Sequence, residues 1–229
     1  MLSPPLSIPL TGLKIWLDAN DSNTIWANDN GTGTVSNGGT VGRWSDISGS
    51  GNHVLQSTSG YRPTYNTGQI NGLPTILFDG VDNYLSAATF DWNRPETIYI
   101  VVKRLTDAGT ILDGYSTNYG RVFRPGADTA QIYAGDYGAS KTIGTGSYFI
   151  LKVEIEATQS SMTIDNGVVT TSSGDQSTDM DGFTLASTGA PGDYANLEVA
   201  EVIGYDYILS YSDDLIVWNY LGDKYNITI

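Results

Sequence analysis

The feature that most constrains the fold is a strict alternation of side-chain types over residues 148–156. Phe149, Leu151, Val153 and Ile155 alternate with Ile150, Lys152, Glu154 and Glu156. A period of two predicts a β-strand with one apolar face and one largely polar face. We expect the polar face, with Glu154 and Glu156, to be solvated.

Other segments carry similar strand signals. Residues 97–103 are rich in β-branched and aromatic side chains, which predicts a buried central strand. Shorter runs predict strands at residues 75–78, 109–112, 130–133, 160–164, 183–186 and 197–205. Turn residues separate these runs, and Asp165-Asn166-Gly167 is a strong signal for a β-hairpin. The Gly-rich stretch 31–42 is expected to be a long surface loop.

One segment near the end of the chain predicts a helix. Ser210 or Ser212 can cap it, and the acidic residues that follow suit the positive first turn. An apolar stripe then recurs at Leu215, Trp218, Leu221 and Tyr225. We expect this stripe to pack on a sheet. Many short strands and one helix in 229 residues predict a single all-β sandwich or jelly roll.

The first twelve residues differ from the rest. They begin M-L-S-P-P-L-S-I-P-L, lack the basic region of a secretory signal, and contain three prolines that oppose a helix. We predict an extended arm at residues 1–12 and one domain at residues 13–229. No apolar run approaches the roughly 20 residues that a membrane span requires.

Charge and composition exclude several kinds of partner. Eleven Lys and Arg against 25 Asp and Glu give a formal net charge of −14. Without a segregated basic face, such a chain is a poor match for nucleic acid or for an anionic membrane. The absence of Cys excludes thiolate metal sites and Cys nucleophiles. The sequence therefore predicts no cofactor, with oxygen-ligated calcium as the one option.

Four segments carry a resemblance to a known superfamily. The first reads LKIWLDAN at 13–20, the second WSDISGSGN at 44–52, and the fourth EVIGYD at 201–206. The third contains YRPTY at 61–65, NGLP at 71–74 and FDGVDNYL at 78–85. In order and spacing they resemble concanavalin A-like lectins and glucanases, in the laminin-G-like form of bacterial surface proteins and phage particles. The resemblance implies a two-sheet antiparallel jelly-roll sandwich with one short C-terminal helix. It implies little about activity, because this architecture serves enzymes, lectins and structural proteins.

Catalytic patterns fit poorly. Laminarinase-like members of that superfamily carry E-x-D-x-x-E on one strand, and none of the five Glu residues here reproduces the pattern. A serine triad would need His53, the only His, and no G-x-S-x-G elbow is present. We predict no catalytic residue and no enzyme. A glycoside hydrolase or a polysaccharide lyase is the less favoured alternative.

Binding residues are predicted from aromatic side chains in polar loops, because sugars stack on rings and hydrogen-bond at the rim. Protein–protein interfaces use the same residue types, so the sequence leaves both kinds of ligand open. The predicted ligand-binding residues are Trp26, Trp92, Tyr115, Tyr119, Arg121, Arg124 and Tyr137. For calcium, Asp79 and Asp82 form an acidic turn of suitable chemistry, although such residues also stabilise turns by themselves.

These observations favour a non-enzymatic structural or adhesion protein of a phage virion. It would be a capsid decoration, head fibre or tail component at the virion surface. Its expected partners are other virion proteins or further copies of itself, with cell-surface glycans as a second class. The alternative is a bacterial extracellular carbohydrate-binding module.

Overall fold

The computed structural model describes residues 8–116, 120–123, 128–173 and 177–229, with backbone alone at 121 and 123. In chain order the strands are β1 (Leu13–Asp18), β2 (Ile25–Trp26), β3 (Arg43–Trp44), β4 (Val54–Leu55), β5 (Thr64–Ile70), β6 (Leu73–Asp79), β7 (Leu85–Ala87), β8 (Glu96–Arg104), β9 (Thr110–Asp113), β10 (Arg121–Phe123), β11 (Thr129–Tyr133), β12 (Tyr137–Thr142), β13 (Tyr148–Ile155), β14 (Gln159–Ile164), β15 (Thr170–Ser173), β16 (Phe183–Leu185) and β17 (Asn196–Tyr205). The helix α1 (Tyr211–Tyr225) follows.

The strands form two antiparallel sheets. The eight-stranded sheet has the order β15-β14-β13-β8-β17-β6-β5, with β1 also paired to β17. The nine-stranded sheet has the order β12-β11-β10-β9-β16-β7-β4-β3-β2. Each sheet combines hairpins of consecutive strands, such as β13-β14-β15 and β9-β10-β11-β12, with pairs that are far apart in sequence, such as β8-β17 and β9-β16. The predicted all-β sandwich with a C-terminal helix is confirmed.

The main core lies between the two sheets. Strand β13 contributes Phe149, Leu151, Val153 and Ile155, the apolar set of the alternating segment, and all four are buried. Strand β8 is buried on both faces, as its β-branched composition predicts. Asp165 and Asn166 adopt left-handed backbone conformations, with φ of 48° and 51°, in the predicted hairpin between β14 and β15.

A second core lies between the eight-stranded sheet and α1. The helix begins after Ser210, whose hydroxyl accepts a hydrogen bond from Asp213 N at 3.2 Å. Trp218, Leu221 and Tyr225 pack against the sheet, as the stripe predicts, whereas Leu215 is only half-buried. Ile8, from the predicted arm, is buried in the same cluster; the boundary at residue 12 stays a prediction.

Two further sequence features are settled by the structure. The stretch between β2 and β3, which includes residues 31–42, is largely exposed loop, as expected. Within the described residues, no helix combines the length and the apolar character needed to cross a membrane.

Candidate functional site

The outer face of the nine-stranded sheet carries a row of side chains that crosses six strands. Directly opposed residues of antiparallel strands share a face. The pairing joins, in order, Asp113, Thr184, Ser86, Leu55, Arg43 and Trp26. The first two are buried, and the other four are half-buried. Since α1 packs on the other sheet, it does not cover this face.

Two adjoining depressions lie over β4 and β7, and together we call them the outer groove. They share a floor of Leu55, Ala87 and Ala88, and their volumes are about 230 and 280 Å³. Gly51, Asn52, His53 and Thr89 complete the first depression, and Asp29, Gln56, Ser57, Tyr84, Ser86 and Tyr115 complete the second. An apolar floor with aromatic and polar walls suits a ligand that has both apolar faces and hydroxyl groups.

Arg62 fixes the chain around the second depression. Its guanidinium donates to the carbonyl oxygens of Gln56, Ala27 and Ser57 at 3.0, 2.9 and 3.1 Å. The Gln56 side-chain oxygen in turn accepts from Thr58 N at 3.0 Å. The charge of Arg62 is therefore used to hold backbone, and the groove wall is built in advance of any ligand.

The 44–53 segment is organised by one carboxylate. Asp46 is buried and accepts hydrogen bonds from the backbone N–H groups of Trp16, Ser48 and Asn52 at 2.8, 2.9 and 3.0 Å. Its own N–H donates to His53 Nδ1 at 3.0 Å. This part of the superfamily-like signature is therefore a structural clamp that holds His53 at the end of the groove.

His53 is placed as a neutral hydrogen-bond donor. Because Nδ1 accepts a hydrogen bond, the ring proton of the neutral form must be on Nε2. Burial, followed by the nearby charge of Arg43, lowers the pKa of His53, and Asp46 opposes the shift. The groove thus has an uncharged N–H donor at one end near neutral pH.

Three tyrosine rings are clustered at the other end of the groove. Tyr84 lies between Tyr61 and Tyr194, with ring-centroid distances of 6.4 and 6.3 Å. Tyr61 is 43% exposed, and the other two are partly exposed. We call these residues the tyrosine cluster. Tyr61 and Tyr84 are not among the predicted binding residues, because their segments were interpreted as part of the signature of the fold; an aromatic residue beside Gly60 or Asn83 was the available signal.

The structure brings two of the predicted ligand-binding residues to this face. Tyr115 is 47% exposed and lines the groove. Trp26 is half-buried two strands away from Leu55, and its Nε1 donates to Ser45 Oγ at 3.1 Å. Tyr137 is exposed and contacts Tyr133, but it lies on β12 at the opposite edge of the sheet.

The expectation that Trp92 offers its ring to a ligand is wrong. The side chain is fully buried in the main core, where it stacks on Phe90 and donates from Nε1 to the Tyr205 carbonyl at 3.1 Å. Gly204 makes room for it, because a Cβ there would come within 2.6 Å of the indole. Tyr119 and Arg124 lie outside the described residues, as does the side chain of Arg121.

Asp79 and Asp82, the residues predicted to bind calcium, stabilise a turn by hydrogen bonds. Asp79 Oδ1 accepts from the N–H groups of Val81, Asp82 and Asn83 at 2.9, 3.3 and 3.3 Å. Asp82 accepts from the Asn83 amide at 3.2 Å. Across the described residues, no three His, Cys, Asp or Glu side chains are grouped so as to hold a metal ion.

The outer face of the eight-stranded sheet is closed by ion pairs beneath α1. Glu201 is fully buried and accepts from Trp16 Nε1, Tyr220 OH, Lys224 Nζ and Tyr225 OH at 2.6–2.8 Å. Burial raises the pKa of Glu201, and Lys224 opposes that shift. All four donors bind the two carboxylate oxygens of Glu201, so this residue joins β1, β17 and α1.

The polar face of β13 is covered at Lys152 and Glu154, contrary to expectation, whereas Glu156, beyond the strand, is exposed as predicted. Lys152 is buried and bridges Glu154 and Asp214 at 2.8 and 2.9 Å, which links the strand to the helix. The alternation gave the strand correctly but could not show that α1 covers its polar side.

Comparisons with known proteins place the fold. No protein-family model matches the chain, and no curated protein matches it. Among solved structures it is similar to domain 4 of AbnA, an extracellular GH43 arabinanase from Geobacillus stearothermophilus, in complex with arabinotriose (13% identity, TM-score 0.57, 88% of this chain and 95% of that one).

Two further structures share the fold over part of their length. One is the binding domain of botulinum neurotoxin DC in complex with SialylT (12% identity, TM-score 0.55, 93% of this chain and 52% of that one). The other is an arabinofuranosidase complexed with arabinofuranosyl-alpha-1,2-xylobiose (14% identity, TM-score 0.59, 92% and 58%). At these identities the similarity establishes the β-sandwich, which agrees with the lectin-like resemblance.

Proposed function

We propose that this domain is a glycan-recognition module that binds saccharide in the outer groove. The observation that carries the proposal is the groove itself: Tyr115 and Tyr84 line an apolar floor together with the hydroxyl of Ser86 and the carboxylate of Asp29. A sugar ring has one apolar face to place against an aromatic ring and hydroxyl groups that require hydrogen-bond partners.

Three solved structures of the same fold support this proposal. Domain 4 of AbnA was solved with arabinotriose, a neurotoxin binding domain with SialylT, and an arabinofuranosidase with a substituted xylobiose. The AbnA domain is the strongest parallel, because the similarity covers 95% of it. Binding of a saccharide by an isolated sandwich of this size is therefore a reasonable model for the present chain.

We further propose that the module is not catalytic. Glycoside hydrolysis uses two carboxyl groups that flank one bond, roughly 5–9.5 Å apart. Asp29 is the one carboxylate among the described residues that line the groove. Glu201 and Glu154 are committed to ion pairs beneath the helix, and Glu96 is fully buried.

The test is binding to a panel of soluble polysaccharides by affinity gel electrophoresis, with product release assayed in parallel. The panel contains arabinan, arabinoxylan, β-glucan, polygalacturonate and polysialic acid. We expect retardation by at least one member, with loss of about tenfold in affinity for Tyr115→Ala, since one stacked ring contributes on the order of 1 kcal/mol. Tyr211→Ala is the control, because Tyr211 is 82% exposed on α1, behind the other sheet.

No retardation by any polysaccharide would contradict the proposed function. New reducing ends or unsaturated products would contradict the non-catalytic part alone.

The biological setting we propose is the surface of a phage virion, as a decoration, fibre or tail component that adheres to glycans or contacts other virion proteins. The alternative is an extracellular carbohydrate-binding module of a bacterium, for which the AbnA domain is the parallel. Mass spectrometry of purified virions separates the two: absence of the chain from the particles would contradict the virion setting and leave the extracellular one.

A further inference from the structure

The outer groove has two distinct ends. The His53 end is formed where β4 begins and β7 ends, and the Tyr84 end is formed where β4 ends and β7 begins. The groove therefore runs along these antiparallel strands. From Tyr84 to Thr89 there are five residue steps, at most about 17 Å of extended chain at ~3.4 Å per residue. A single sugar ring cannot fill such a length.

The tyrosine cluster continues the groove at one end. Tyr84 lines the second depression and at the same time contacts the rings of Tyr61 and Tyr194. Both of these neighbours lie outside the groove lining, and Tyr61 keeps 43% of its surface exposed. A ligand that leaves the groove past Tyr84 would meet further aromatic surface in the same direction.

The charges along this path disfavour an anionic ligand. Asp29 lines the groove, and Asp82 lies close enough to Tyr194 to contribute to the raised pKa of its hydroxyl. No Lys or Arg is found among the described residues that line the two depressions. The nearest cation on this face is Arg43, opposite Leu55, which is half-buried and donates from Nε to Ser45 Oγ at 3.0 Å. Arg62, behind the wall, donates to three carbonyl oxygens. The net charge of −14 adds a long-range repulsion of the same sign.

We infer that the ligand is an internal stretch of an uncharged linear polysaccharide, which lies along the groove and continues onto the tyrosine cluster. This inference rests on the proposed function and specifies its substrate class. A terminal sugar or a branched headgroup would use one depression only. An extended chain uses the floor, both ends and the exposed tyrosines.

The test is isothermal titration calorimetry with a size series, from disaccharide to hexasaccharide, of arabinan, arabinoxylan and β-glucan fragments. We expect affinity to rise by about tenfold or more with length. Tyr61→Ala should remove the gain with length and leave disaccharide binding unchanged, whereas Tyr115→Ala should weaken all lengths. Tyr211→Ala should match the wild type, and thermal unfolding of each variant verifies that it is folded.

The outcomes separate the inference from the proposed function. Equal affinity for disaccharide and hexasaccharide, an unchanged length dependence in Tyr61→Ala, or preference for polygalacturonate or polysialic acid would overturn the inference while saccharide binding stands. Failure of every saccharide, short or long, would overturn both.

Discussion

The two outer faces of the sandwich are built on opposite principles. Beneath α1, polar groups of the eight-stranded sheet are paired with each other: Lys224 with Glu201 and Asp18, Lys152 with Glu154 and Asp214, Lys103 with Glu198. On the nine-stranded sheet, polar and aromatic groups surround an open groove. Paired charges therefore join the helix to the first sheet, whereas the second sheet keeps polar and aromatic side chains exposed around the groove.

The largest expected effect comes from breaking the buried pair beneath the helix. Lys224→Met removes the cation from Glu201, which is fully buried, and we expect a loss of about 3–5 kcal/mol in the free energy of unfolding. Urea denaturation measures it. Saccharide binding without urea, at a temperature where the variant is folded, should be unchanged, because the groove lies on the other sheet.

The matched control is Lys14→Met. Lys14 pairs with Asp206 at 3.0 Å, but both side chains are partly exposed, so the expected loss is about 0–1 kcal/mol. Equal losses in the two variants would show that burial does not distinguish the covered face.

Glu96 is a buried carboxyl group between the two sheets, away from any of the ion pairs beneath α1. Glu96 is fully buried, with Oε1 accepting from Met180 N at 3.1 Å and Oε2 without a hydrogen-bond partner. Burial raises the pKa of Glu96 to about 8. The carboxylates beneath α1 are neutralised by neighbouring lysines. Glu96 is neutralised by keeping its own proton.

This shift predicts a pH dependence of stability. Since the folded state holds the proton up to about pH 8 and the unfolded state releases it near pH 4.5, the stabilisation is complete below pH 4.5 and is lost as pH rises towards 8. At pH 9 we expect Glu96→Gln to be more stable than the wild type by about 2–4 kcal/mol. Urea denaturation from pH 5 to 9 measures this; parallel curves for the two proteins would contradict it.

The sequence predicts the strands better than it predicts what the faces do. Alternation in β13, the β-branched run of β8 and the Asp-Asn-Gly turn are local signals, and each is confirmed. The pairing of Lys224 with Glu201 and the contact of Tyr61 with Tyr84 depend on which strands become neighbours, which no local pattern contains. Trp92 shows the same limit. The composition of its loop does not say whether the side chain points to solvent or to the core, and the ring lies in the core, in the space that Gly204 leaves.

A smaller effect is expected at the far end of the groove. His53 offers one Nε2–H donor, so His53→Ala should weaken saccharide binding by about threefold to tenfold, the value of one hydrogen bond. The lowered pKa of His53 predicts that binding is constant above pH 6.5 and declines as pH falls further, because protonation places a hydrogen on Nδ1 against the Asp46 N–H. Calorimetry across pH 5–8 checks both; wild-type affinity in His53→Ala, or an affinity that falls as pH rises from 5 to 8, would remove His53 from the site.

The smallest effect is expected from calcium. If Asp79 and Asp82 held the ion predicted from sequence, calcium would bind the folded state alone and raise the midpoint of thermal unfolding. In the structure Asp79 already accepts three backbone N–H groups, which is the work of a turn. We therefore expect EGTA and millimolar calcium to give unfolding midpoints within about 1 °C of each other. A larger rise with calcium that Asp82→Asn abolishes would establish a metal site in the turn between β6 and β7, close to Tyr194 of the tyrosine cluster.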